Sequence, residues 1–129
     1  PIFEFGYGLS YTSFEYSDIK LSNLKFDQNK GVTVSATITN TGNVAGSEVV
    51  QLYLHDKKSS VTRPYKELKG FAKVHLKPKE TKTVSIELEL RDLSFWDVIN
   101  NDWLAEKGEF DVLIGASSND IRLTKTFEY

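Results

Sequence analysis

Along most of the chain, apolar and polar residues alternate with a period of two. This is the pattern of antiparallel strands with one face buried and one in water. In GVTVSATITNTG, Val32, Val34, Ala36 and Ile38 fall on one face and Thr33, Ser35, Thr37 and Thr39 on the other. The run ends in Asn40, Thr41 and Gly42, which are turn residues. In SEVVQLYLHD, Val50, Leu52 and Leu54 share one row and Val49, Gln51, Tyr53 and His55 the opposite one. KELKGFAKVHLKP reads with Leu68, Ala72, Val74 and Leu76 inward and Lys69, Phe71, Lys73 and His75 outward. TKTVSIELEL puts Val84, Ile86, Leu88 and Leu90 inward, and GEFDVLIGAS does the same with Phe110, Val112 and Ile114. In DIRLTKTFEY, Ile121, Leu123 and Phe127 keep one phase while Lys125 breaks it, as on an edge where its stem reaches water. SNLKFD is a weaker strand with Leu24 and Phe26 inward.

The pattern predicts about seven strands with turns at intervals near ten residues, the layout of a β-sandwich. Each sheet is apolar on one face, so two sheets must pack face to face. Without the Cys-Trp-Cys signature of immunoglobulin domains, the fold class is all-β, a fibronectin type III-like (immunoglobulin-like) β-sandwich with an aromatic N-terminal extension. Residues 1–17 read as an interdomain linker and 18–129 as the sandwich, with Thr12–Tyr16 a short stretch that could add to a sheet edge. LRDLSFWDVINNDWLAEKGEF interrupts the rhythm; a short helical turn is expected near Leu93–Trp96 and a short strand around Trp103–Glu106.

The 129 residues are enough to bury a core without a metal or disulfide, and there is no cysteine. Sixteen basic against eighteen acidic residues carry no nucleic-acid footprint. No apolar run approaches the length needed to cross a bilayer. Extracellular, periplasmic and cytoplasmic placements all stay open, and a chain starting at Pro1 reads as a fragment or processed form. His55 and His75 are expected on outward faces, too few for a metal site of three or four convergent ligands. Asp56, Glu67, Asp92, Asp97, Asp102, Glu106 and Asp111 are plentiful acids on strands and turns. Nothing in their placement implies the facing pair that glycoside hydrolysis requires. No catalytic, cofactor-binding or metal-binding residue is expected.

The aromatic residues carry more information. Phe3, Phe5, Tyr7 and Tyr11 stand on a segment broken by Gly6 and Gly8, ahead of the first expected strand. Burying such rings is worth roughly 1.5–3 kcal/mol each, so a neighbouring surface is the simplest place for them. Arg63, before a proline in KKSSVTRPY, suits an ion pair or bidentate contact across the same seam, with Tyr65 beside it. Trp96 and Trp103 are expected to cap the open end of the core or meet an interface. Together with Phe71 they are also the candidates for stacking on a sugar.

FEFGYGLSYTSFEY, VSATITNTGNVAGSEVVQLYL, VTRPYKELKGFAKVHLKPKETKTVSIEL, DLSFWD and GEFDVLIGASSNDIRL follow one another in the order seen in a known family. Together they resemble the C-terminal fibronectin type III-like domain of glycoside hydrolase family 3 enzymes, chiefly β-glucosidases and β-xylosidases. The resemblance implies a non-catalytic domain that stabilises upstream catalytic domains of the same polypeptide and shapes the rim of their cleft. It places the nucleophile and the acid/base in those other domains. It implies a retaining hydrolysis that needs no metal or redox cofactor. The aromatic segment and the loop from Lys57 to Tyr65 would lie at the join. The rival expectation is an autonomous carbohydrate-binding or adhesive module, with carbohydrate as partner and Tyr53 or Phe71 as its outward rings. Neither nucleic acid nor membrane is expected as a partner.

Overall fold

The computed structural model describes residues 12–129. Among these residues nine strands form in chain order: β1 (Phe14–Leu21), β2 (Val32–Asn40), β3 (Gly46–Asp56), β4 (Glu67–Leu76), β5 (Thr81–Leu88), β6 (Phe95–Asp97), β7 (Asp102–Leu104), β8 (Glu109–Ser117) and β9 (Asp120–Glu128). A three-stranded sheet has the order β1-β2-β5 and a four-stranded sheet the order β4-β3-β8-β9, while β6 and β7 form a separate hairpin. All strand pairs are antiparallel. The rows expected from alternation meet between the sheets. Val32, Val34, Ala36, Ile38, Ile86 and Leu88 come from one side, and Val50, Leu52, Leu54, Val74, Leu76, Val112 and Ile114 from the other. At one end, Phe110 and Phe127 stack at 5.6 Å, and Phe26 joins Phe127 at 5.7 Å. Lys125 sits exposed on β9, an edge strand, as its break in phase implied.

Three expectations are corrected. Leu68 is 54% exposed on the outer face, because a bulge interrupts the β3–β4 ladder. Gly70 pairs with Leu52 and Leu68 with Tyr53, so Lys69 is the extra residue and the side-chain phase flips across it. Gly70 takes the inward place, where a Cβ would lie 2.7 Å from the Ile86 side chain, so the close sheet approach there requires glycine. SNLKFD is not a strand; its backbone bonds to Glu128 bury Phe26 and leave Leu24 62% exposed. The helical turn falls earlier than expected, as a 3₁₀ turn at Leu90–Leu93, and a hairpin follows it. The Phe3, Phe5, Tyr7 and Tyr11 extension lies outside the described residues.

Polar contacts close the β1–β9 edge and one end of the sandwich. Arg122 of β9 donates to the Phe14 carbonyl of β1 at 2.7 Å and stands 4.7 Å over the Tyr16 ring. Tyr16 donates to Glu48 at 2.8 Å; burial first, then this bond, push its phenol well above the usual range. At the end of β2, Asn40 is fully buried. Its amide donates to the carbonyls of Val44 (2.9 Å) and Leu76 (3.1 Å). Its oxygen accepts from the Thr12 hydroxyl (2.5 Å) and the Gly42 N–H (2.9 Å). One side chain therefore ties the residue that leads into β1, the β2–β3 turn and the end of β4. Asn40→Ala orphans this whole set and is expected to cost about 2–3 kcal/mol in urea unfolding. Ser35→Ala, which removes only an exposed hydroxyl contact to Ser85, should stay within about 0.5 kcal/mol.

Candidate functional site

Arg63 organises one end of the sandwich. Its guanidinium reaches Asp56 at the end of β3 (3.4 Å) and Glu67 at the start of β4 (2.6 Å), with the Arg63 and Asp56 side chains only 7% and 5% exposed. It also donates to the Leu93 carbonyl at 3.3 Å and lies 5.3 Å from the centre of the Phe95 ring. The β3–β4 loop, the 3₁₀ turn and the β6–β7 hairpin are thus held by one cation. Arg63 was expected to make an ion pair across a seam; the pairs it makes here are with Asp56 and Glu67 of this chain. Its Nε is the buried side-chain polar atom left without a hydrogen bond among the described residues.

The hairpin has two different faces. Phe95 pairs with Leu104, and Trp96 with Trp103, so alternation sends the two pairs to opposite sides. Phe95 faces Arg63. Trp96 and Trp103 pack edge to face at 5.4 Å and 81°, and are 45% and 65% exposed. They do not cap the core, which corrects that part of the expectation; Phe95, Arg63 and the buried Leu93 fill the space beneath the hairpin instead. The perpendicular pair offers no flat two-ring platform.

A second apolar area lies on the outer face of the four-stranded sheet. The register places Leu68, Tyr53 and Leu113 side by side, with Gln51 and Phe71 next to them. Tyr53 and Leu113 are covered, while Phe71 and Leu68 are exposed. At the end of this row, Tyr65 is exposed and stacks on His55 at 4.1 Å, and His55 Nδ1 meets the Tyr65 carbonyl at 2.9 Å. His75 is outward and bonds Ser47 at 3.0 Å. The structure therefore brings Tyr65 and Phe71 to one face, puts the two tryptophans on the hairpin, and places Arg63 beneath them. The exposed tip, Val98 and Ile99, gave no signal in the strand pattern because hairpin tips are usually polar.

Every acid singled out by the sequence has a structural partner. Asp56 and Glu67 hold Arg63. Asp92 accepts from Glu89 N–H, Asp97 from Ile99 N–H and Asn100, and Asp102 from Trp103 N–H. Asp111 accepts from Thr126, and Glu106 from Ser60 N–H. Hydrogen bonds from the Ser60 hydroxyl and backbone hold the Glu106 carboxyl below its usual range. Among the described residues no cluster of three or more His, Cys, Asp or Glu could hold a metal, and no helix is long and apolar enough to cross a membrane.

Three strands packed on four and closed by polar contacts, with no metal-holding cluster among the described residues, define a fibronectin type III-like sandwich. The fibronectin type III-like domain family matches residues 48–118, more than half the chain, and the chain belongs to that family. It is 51% identical over 98% of its length to thermostable β-glucosidase B of Acetivibrio thermocellus, covering 17% of that protein. Among solved structures it superposes on the Bifidobacterium adolescentis GH3 β-glucosidase with a TM-score of 0.85 and 39% identity, covering 95% of this chain and 18% of that one. It also superposes on β-glucosidase 3B of Thermotoga neapolitana, solved with α-D-glucose, with a TM-score of 0.83 and 44% identity, covering 99% and 17%. The chain spans less than a fifth of each of these relatives.

Removing Arg63 takes the opposing charge from the almost fully buried Asp56 and leaves Glu67 only a longer contact to Lys69. Arg63→Ala is therefore expected to cost about 3–5 kcal/mol in denaturant unfolding. Arg63→Lys should recover only part of this, because an ammonium cannot span both carboxylates and the Leu93 carbonyl. The Glu106 contact is pH-linked. A depressed carboxyl favours the folded state above the ordinary value and loses that contribution as pH falls through the depressed one. The Ser60 amide resonance should titrate with a midpoint below 4.5, the ordinary value for Glu106. A midpoint at or above it would contradict the contact.

Proposed function

We propose that this chain is a non-catalytic accessory domain of a larger β-glycosidase, and that it stabilises the catalytic domains and shapes the rim of their cleft. The observation that carries this reading is one of proportion. Nearly the whole chain aligns with less than a fifth of proteins named as β-glucosidases, while its own acids are held in local structural contacts. In this reading the parent hydrolyses terminal non-reducing β-D-glucosyl or related residues. A carboxylate nucleophile and an acid/base, both outside these residues, work through a glycosyl-enzyme intermediate, with water taking the sugar in the second step. The residues ahead of β1 would be the linker, with Phe3, Phe5, Tyr7 and Tyr11 packed at the join, while residues 14–17, counted with the linker by sequence, pair with β2. Tyr65 and Phe71 would lie on the face turned to the neighbour. A carbohydrate-binding role draws on the open rings of Phe71 and Trp103, but the crossed tryptophans favour an anchor over a stacking platform.

The test uses the full polypeptide and the 129-residue chain side by side. The polypeptide should release 4-nitrophenol from a 4-nitrophenyl β-D-glucoside with the β-anomer of glucose formed first. The chain alone should release none and show no tryptophan-fluorescence change with cello-oligosaccharides. Hydrolysis by the chain alone, an inactive polypeptide, or saturable sugar binding would each overturn the reading.

A further inference from the structure

Four large, exposed apolar residues fall within eight positions of one another on this hairpin: Trp96 is 45% exposed, Val98 79%, Ile99 88% and Trp103 65%. Apolar side chains gathered like this and left uncovered mark a contact surface. The group is also rigidly mounted. Arg63 holds the Leu93 carbonyl and the Phe95 ring, Ser94 bonds the Leu90 carbonyl, and Ser60 N–H bonds Glu106. The tip is closed by Asp97, which accepts from Ile99 N–H and Asn100, and by Asn101 with φ at 54°. The Trp96–Trp103 side points away from the residues that hold the hairpin.

Resting on the accessory-domain reading, we propose that the β6–β7 hairpin is a second anchor by which the sandwich docks onto the rest of its own polypeptide. Size selects this occupant. A freely associating pair of proteins needs about 800 Å² on each partner, supplied by roughly 20–30 residues. A hairpin of some ten residues falls short of that for a second copy. A tethered partner meets no such threshold, because the link raises its effective concentration to the millimolar range. The relatives contain several times this chain's length, so a tethered body of ample size is at hand. The shape of the apolar group also argues for protein. An aliphatic tip and two rings at 81° fit a pocket better than the flat face of a sugar.

Topology gives the anchor its meaning. The chain enters the sandwich at Phe14, which pairs with Asn40 at one end of β2. The hairpin follows Leu88, which pairs with Val32 at the other end. Eight steps of strand separate these ends by about 27 Å. Attachment at both ends lays the sandwich lengthwise along its neighbour and stops it swinging about the linker. Asp97 and Asp102 fall on the Phe95 side of the hairpin, opposite the tryptophans, so the receiving pocket is apolar.

The test places the photoreactive residue p-benzoylphenylalanine at Ile99 in the full polypeptide, and the crosslinked peptides are mapped by mass spectrometry. The proposal predicts an intramolecular crosslink to a peptide preceding Pro1, with a yield independent of protein concentration. It also predicts that Trp96 and Trp103 in the unlabelled polypeptide are oxidised by hydroxyl radicals several-fold more slowly folded than unfolded. A crosslink between two copies, rising with concentration, would overturn it in favour of self-association. Crosslinks confined to residues 12–129, or tryptophans oxidised as fast folded as unfolded, would overturn it outright. Glucosidase activity of the same sample is read separately. An upstream crosslink in an inactive polypeptide leaves the anchor standing and removes the glycosidase reading, whereas an active polypeptide without the crosslink does the reverse.

Discussion

A guanidinium taken out of water must be met by opposite charge and by hydrogen bonds, or it destabilises the fold that holds it. Arg63 is placed under that constraint. Asp56 and Glu67 neutralise it from two neighbouring strands, and the Leu93 carbonyl and the Phe95 ring approach from the segment that follows β5. None of these elements would be fixed at this end by alternation alone. The loop before β4 has no ladder of its own, and the β6–β7 hairpin belongs to neither main sheet. The ion cluster makes a loop, a 3₁₀ turn and a hairpin into one body, and so it determines which apolar side chains are presented outward.

The rest of the molecule provides the frame. Two sheets bury their alternating rows against each other, and three polar devices keep them in register. These are Asn40 at one end, Arg63 at the other, and the Arg122–Tyr16–Glu48 group along the β1–β9 edge. Such a frame suits a domain whose task is to hold a fixed shape. Its acids serve turns and ion pairs, and its exposed rings lie on the outer face and on the hairpin. Both features fit the proposed role, a part that works by contact with the remainder of a longer polypeptide.

Strand positions were legible because a sandwich strand has one wet and one dry face, and period-two alternation records this directly. The rows on β2, β3, β5 and β8 could be assigned residue by residue. The reading failed where a single residue changes the count. The extra Lys69 in the β4 bulge moves Leu68 outward; alternation alone does not count an extra residue, and the signal available was Gly70, since glycine inside a strand often marks a bulge. For Trp96 and Trp103 the core-cap half of the expectation failed, because apolar flanks do not say which face of a hairpin is buried. A hairpin that carries its apolar face outward follows the same alternation as one that buries it. Arg63 was legible as an ion-pair residue from its place before Pro64, but its partners come from residues 7 positions before it and 4 after, and from a segment 30 residues on. Only the fold brings them together.

The account's central claim is that this domain acts by packing against the rest of a longer polypeptide through surfaces that its own fold leaves apolar. An experimental structure of that whole polypeptide, read at the Trp96–Trp103 pair, tests it most directly. The account predicts both indole rings in contact with residues that precede Pro1, with the sandwich lying along its neighbour and attached at both ends. Indole rings facing solvent, on a sandwich joined to the rest only through its linker, would contradict it.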